Sequence, residues 1–252
     1  MKRKYILIFI CFIFLGSLTW MIFYSNGFLK LIFNEKIWVH RVNSIEKLSE
    51  VQADFYGVEV DVVFLDSLNQ FDVNHPPEPS IHLTLEEYLS SVKTNKTLHY
   101  WLDFKNLNEQ NQKKAIDKLD AICTSLTLPK RNFIVESNNV LLLKEFSESG
   151  YQISYYLHWP GLYSLNKNEL EEKLDKINSE LNSFNYQGVL SSDYRDYEIM
   201  KIHFSNYDKL LWLDDSFGKQ DKFKDRLQLY KMLSDNQVKI VLMKYKSKLK
   251  ER

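Results

Sequence analysis

The stretch "YGVEVDVVFL", residues 56–65, sets two carboxylates inside a run of β-branched and aromatic residues. Val58, Val60, Val62 and Val63 favour a strand, and their density marks it as buried. Glu59 and Asp61 lie two apart, so both carboxylates point to one side of that strand. A buried carboxylate needs a partner, so the pair implies a cation or a hydrogen-bond network nearby. Seven further runs of the same kind follow the same rhythm: "IWVHRV" (37–42), "LHYWLDF" (98–104), "NFIVES" (132–137), "YQISYYLHW" (151–159), "YQGVLSS" (186–192), "KLLWLDD" (209–215) and "VKIVLMKY" (238–245).

Helical periodicity lies between these runs. Leu170, Leu174, Ile177, Leu181 and Phe184 recur at steps of four and three, one apolar face of a helix. Ile116, Leu119, Ile122, Cys123 and Leu126 do the same, and "TLEEYLSSV" and "FKDRLQLYKML" are shorter versions. Thr84 with Glu87 matches a capping box and predicts a helix start at Thr84. Eight strands alternating with helices predict an α/β chain folded as a (β/α)8 TIM barrel over residues 37–252. An open doubly wound sheet is the competing architecture. Only seven glycines are present and no glycine-rich loop follows the first strand, which argues against a nucleotide cradle.

The N-terminus reads differently. "MKRK" precedes "YILIFICFIFLGSLTWMIFY", residues 5–24, without a charge. Twenty residues at ~1.5 Å rise span roughly one hydrocarbon core. Residues 1–24 are therefore expected to form a transmembrane anchor, with a cleaved signal peptide as the alternative, and residues 25–36 a short linker. The basic flank predicts a cytoplasmic N-terminus and an extracytoplasmic barrel, in a periplasm or on a cell surface, secreted if the segment is cleaved. Cys11 lies in the apolar run and Cys123 on a helix face, so the barrel has one thiol and no internal disulfide. Net charge is zero, which excludes a bulk electrostatic grip on nucleic acid.

In a parallel barrel, chemistry sits at the carboxyl ends of the strands. The first strand brings His40 and Arg41, the second Glu59 and Asp61, the third Asp103 and Lys105, and the loop after the second brings His75. Three converging carboxylates repel unless a cation lies among them, and oxygen ligands suit Mg²⁺ or Ca²⁺. Arg41 and Lys105 suit a phosphate, and two histidines can divide acid and base duties. That set fits cleavage of a phosphodiester. His158, Trp159 and Asp214 are further candidates for lining the mouth. Pro76, Pro77 and Pro79 break the second strand's exit and stiffen the loop that holds His75.

"H-R" at the first strand, "E-x-D" at the second, a histidine in the next loop and acid-x-Lys at the third resemble the glycerophosphodiester phosphodiesterase superfamily, the PLC-like phosphodiesterases. "VHRVNS", "VEVDV", "HPPE", "TLEEYL" and "LDFK" resemble its menorin branch over residues 38–106. The resemblance implies a barrel of PLC-like phosphodiesterase type. In it His40 and His75 would be the acid/base pair, and Glu59, Asp61 and Asp103 would hold a divalent cation. Arg41 and Lys105 would contact phosphate, and Asn43 would order the first loop. The substrate it implies is a glycerophosphodiester, a lipid headgroup or an envelope polymer, cleaved by attack of an adjacent hydroxyl on phosphorus. Val42 and Asp103 depart from the family's usual glycine and glutamate. A non-catalytic barrel binding an envelope ligand or protein is the alternative, and a glycan hydrolase using Glu59 and Asp61 is a third reading.

Overall fold

The structure is a computed structural model that describes residues 2–93, 97–183 and 185–249; the side chains of residues 2–4 and 6–12 lie outside that description. Chain order begins with α1 (Lys2–Tyr24), α2 (Asn26–Phe33), β1 (Ile37–His40) and α3 (Ile45–Val51). β2 (Gly57–Leu65), β3 (Gln70–Val73), α4 (Leu85–Ser90), β4 (His99–Phe104) and α5 (Gln112–Ser125) follow. Next come β5 (Phe133–Ser137), α6 (Val140–Glu148), β6 (Gln152–Tyr156), α7 (Lys167–Ser183), β7 (Val189–Asp193) and α8 (Tyr197–His203). β8 (Lys209–Trp212), α9 (Lys222–Ser234) and β9 (Val238–Lys244) complete the chain.

Every strand except β3 is parallel to its neighbours, in the order β1-β9-β8-β7-β6-β5-β4-β2. Pairing of Val39 with Val58 brings β1 back to β2 and closes the barrel. The expected (β/α)8 architecture is therefore present, and the eight expected strands are the eight barrel strands. β3 is the addition: it turns back antiparallel along the end of β2, with Val62 opposite Val73.

Two layers of core follow from strand alternation. Inside the barrel, Trp38, Trp101, Ile134, Leu210, Ile240 and Leu242 form a plug below the mouth. Outside, Val58, Val60 and Val62 join the helix faces, including Leu119, Ile122 and Cys123 of α5 and Leu174, Ile177 and Leu181 of α7. Phe184, expected at the end of the α7 stripe, lies outside the described residues. Gly57 is required by packing, since a Cβ there would fall 2.3 Å from the Trp38 ring.

Among the described residues no helix follows β9, so the barrel lacks an outer helix between α9 and α3. α2 stands in that place. Its Leu29 is fully buried, Phe33 meets Tyr230 of α9 edge-on, and Lys30 lies over the Phe55 ring beyond α3. The stretch 25–36, expected as a linker, is thus largely a packed helix, capped by the Ser25 hydroxyl accepting from Phe28 N–H. No helix among the described residues is long and apolar enough to cross a membrane. Much of the expected anchor, including Cys11, falls on residues whose side chains lie outside the described set.

Candidate active site

The carboxyl ends of the strands open on one cavity of about 570 Å³. Its floor follows from parallel register. Asp61 on β2 pairs with Asp103 on β4, Asp103 with Glu136 on β5, and Glu136 with Ser154 on β6. Register partners in a parallel sheet share a face, so an inward carboxylate on β2 commits its neighbours to the same row. Glu59 lies one step below Asp61, fully buried with it.

The turn after β1 is built around these carboxylates. Arg41 adopts a left-handed backbone, φ 51°, which costs a non-glycine residue about 1–3 kcal/mol. In return its N–H reaches Glu59 Oε2 at 2.5 Å. Asn43 then meets Asp61 twice: its Nδ2 donates to Asp61 Oδ2 at 2.6 Å and its Oδ1 accepts from the Asp61 N–H at 3.0 Å. Ser44 caps α3 by accepting from Lys47 N–H, and the Lys47 ammonium donates to the carbonyls of His40 and Arg41. The turn that presents His40 and Arg41 is therefore tied at both ends.

Charges converge as expected. Glu59, Asp61 and Asp103 each offer an oxygen within 4.8 Å of the others. Lys105 Nζ lies 2.7 Å from Asp61 Oδ1 and pairs closely with Asp103. His75 Nδ1 stands 3.0 Å from Asp61 Oδ1, and His40 Nε2 stands 3.8 Å from Glu59 Oε2. Burial pushes the Glu59 carboxyl well above the usual range, and the Asp61 and Asp103 charges add to it. Burial works the same way on Asp61, but the approach of His75 and Lys105 outweighs it and holds that carboxyl well below its ordinary value. Burial raises Asp103 against the pull of Lys105. Burial lowers the His40 imidazole to about 3, reinforced by Arg41, so His40 is neutral near pH 7.

This donor set fits a hard divalent cation. Three carboxylates converge, and the Lys105 ammonium already stands 2.7 Å from Asp61 Oδ1, so the cluster accepts a positive charge among its oxygens. Such an ion would draw on Glu59, Asp61 and Asp103, with Lys105 and Arg41 beside it at the cavity wall.

The expected residues His40, Arg41, Glu59, His75, Asp103, Lys105, Trp159 and Asp214 all line the cavity. Asp61 and Asn43 lie behind that wall, in contact with each other. His158 is not among the lining residues. Trp159 stacks on Trp212, ring centroids 5.8 Å apart, and Trp212 stands 6.2 Å from His40, so the loop after β6 and the end of β8 give the cavity an aromatic side. Asp214 is braced by Arg195, which also holds Asp193 with two parallel bonds.

Glu136 is a lining residue that sequence reading missed. Ser154 Oγ donates to its Oε2 at 3.0 Å, and Ser191 donates to the same oxygen. Burial pushes its carboxyl up to about 8, and Asp103 adds to that. Its signal was visible: an acid inside the apolar run "NFIVES", one strand beyond Asp103. Lys244, at the end of β9, was findable in the same way.

No family model and no curated protein matches this chain. Solved structures do. A glycerophosphodiester phosphodiesterase from Parabacteroides distasonis superposes with a TM-score of 0.58 at 18% identity, over 83% of this chain and 92% of that one. The enzyme of that description from Thermotoga maritima gives 0.52 at 16%, covering 82% and 92%. A phosphodiesterase from Oleispira antarctica, solved with the product sn-glycerol-3-phosphate, gives 0.51 at 15%, covering 84% and 94%. This chain is built on the closed (β/α)8 fold that those phosphodiesterase structures share.

Proposed function

We propose that this chain is a membrane-anchored, extracytoplasmic phosphodiesterase that depends on Mg²⁺ or Ca²⁺ and cleaves a glycerophosphodiester, a lipid headgroup or an envelope polymer. The observation that carries the reading is the meeting of Glu59, Asp61 and Asp103 with His40, His75, Arg41 and Lys105 in one cavity. The likeness of fold to glycerophosphodiester phosphodiesterase structures supports it. The order of "VHRVNS", "VEVDV", "HPPE" and "LDFK" supports a resemblance to the menorin branch of that superfamily.

Glu59, Asp61 and Asp103 would hold a divalent cation, which would supply positive charge to the phosphate when bound. Arg41 and Lys105 bind the remaining phosphate oxygens and stabilise the charge that gathers on them as the nucleophile adds. His40 is neutral and takes the proton of the attacking hydroxyl. His75, oriented by Asp61, gives a proton to the departing alkoxide. The stacked Trp159 and Trp212 give the cavity an aromatic face for the organic part of the diester. The 20-residue uncharged run ahead of α2 supports the anchor, and its basic flank supports the outside placement of the barrel.

The test uses the full chain in detergent with bis-p-nitrophenyl phosphate and glycerophosphodiesters. Turnover by the wild type is expected to fall at least ~100-fold in His40→Ala, His75→Ala and Glu59→Ala. Loss in none of the three, at preserved folding, removes the site from the reaction.

A further inference from the structure

The end of α1 is fastened to the flank of the barrel. Arg226 of α9 donates to the Phe23 and Ser25 carbonyls at 2.7 Å each, and to Asn26 Oδ1 at 2.8 Å. The Phe23 ring stacks on Tyr230 at 5.2 Å and meets Phe223 at 5.7 Å. The uncharged run of residues 5–24 is thereby continuous with the surface of α9.

The neighbouring helices α2 and α9, joined by the Phe33–Tyr230 contact, both present apolar side chains to solvent. Leu31 is 79% exposed and Phe223 50%, and Ile32 and Leu227 are similarly open. Trp20 and Met21 at the end of α1 extend the same patch. Lys219, Lys222 and Lys224 stand exposed at its edge. Two nearby carboxylates are engaged by backbone: Asp221 caps α9 by accepting from Lys224 N–H, and Asp225 accepts from Gly218 N–H. Exposed apolar side chains beside cations match the boundary of an anionic bilayer, where the rings and aliphatic groups enter and the ammonium groups meet headgroup phosphates.

The position of this patch bears on the substrate. α9 begins at the carboxyl end of β8, the end that opens on the cavity. Asp214 and Asp215 of the cavity wall belong to the same loop that leads into Lys219 and Phe223.

We propose that the flank made by α2 and the first turns of α9 docks on an anionic lipid surface and holds the rim of the mouth at the headgroup layer, so that the diester taken is one presented by that surface. This rests on the anchored phosphodiesterase reading above. Docking by the flank also explains why α2 keeps Leu31 and Ile32 in solvent while burying only Leu29 fully.

The test reconstitutes the full chain, with Cys11→Ser, in vesicles of phosphatidylcholine and phosphatidylglycerol carrying brominated acyl chains. A bimane is placed at Leu227→Cys, or at Lys113→Cys on α5 as a distant control; Cys123 is buried. Quenching at position 227 is expected to exceed that at 113 severalfold. Equal quenching, or a chain that does not float with the vesicles, overturns the proposal. A second arm compares wild type with the double variant Phe223→Ser, Leu227→Ser. Turnover of a vesicle-borne lipid phosphodiester is expected to fall severalfold while turnover of soluble bis-p-nitrophenyl phosphate holds. Equal rates on the vesicle substrate contradict the proposal. Absence of turnover on either substrate counts against the catalytic reading, while the quenching arm still decides the docking.

Discussion

Asn43 and Glu136 show how single residues set this site. Asn43 spends its amide on both faces of Asp61, a buried carboxylate and its backbone N–H. Asn43→Ala leaves those groups without partners, at about 1–3 kcal/mol for a buried polar group. The variant is expected to melt lower by that amount, and an unchanged melt contradicts the role. Glu136 makes a statement about pH. Unfolded, a glutamate titrates near ~4.3. In the fold, burial and the Asp103 charge hold its carboxyl up to about 8. Between those values the folded state binds the extra proton, so stability falls as pH rises across the window. In EDTA, Glu136→Gln is expected to gain on the wild type progressively as pH rises through that range. A gap independent of pH contradicts it.

At the scale of elements, the barrel strands were legible and several connections were not. Each barrel strand is a short apolar run that stands out in composition alone. β3 was not expected, because a four-residue antiparallel strand has too little alternation to separate it from the loop "FDVNHPPEP". α3 has seven residues, fewer than two turns in which a period could register, although Ser44 was a visible cap. α2 lies in the stretch expected as a linker, and its eight residues are too few for a helical period to stand out beside the apolar run before it. The Thr84–Glu87 capping box formed as expected, with Thr84 Oγ1 accepting from Glu87 N–H and the Glu87 carboxylate accepting from Thr84 N–H. Just before that cap, three prolines limit the backbone freedom of the loop that carries His75. Replacing Pro76 and Pro77 by glycine is expected to lower turnover while leaving cation binding intact. Unchanged turnover would assign those prolines to the fold alone.

The tail after β9 makes a second prediction at this scale. Glu50 on α3 accepts from the Lys248 and Leu249 amides and from the Ser247 and Tyr245 hydroxyls. Slight desolvation opposes ionisation there, but those four donors outweigh it and hold the carboxyl down at about 2. The latch is therefore complete above the unfolded value of ~4.3 and is lost as pH falls toward about 2. Hydrogen-exchange protection at Lys248 and Leu249, taken relative to the intrinsic rate at each pH, should fall over that interval, and should be low at every pH in Glu50→Gln. Protection that ignores pH contradicts the latch.

For the whole molecule, the site was more legible than its setting. His40, Arg41, Glu59, Asp61, His75, Asp103 and Lys105 are local in sequence and announced themselves by spacing on the first three barrel strands. Glu136, Tyr156 and Lys244 come from later strands and join the cavity only through barrel closure, which spacing along the chain does not express. The filling of the outer gap by α2 is likewise a property of the closed circle. The central claim is that three carboxylates hold one divalent cation on which phosphodiester cleavage depends. The direct measurement is turnover of a glycerophosphodiester by the full chain as EDTA is added and Mg²⁺ or Ca²⁺ then restored, beside Glu59→Ala. The account predicts activity that disappears with chelator, returns with the ion and is absent from the variant at every ion concentration. Turnover that survives the chelator, or a Glu59→Ala chain as active as the wild type, would contradict it.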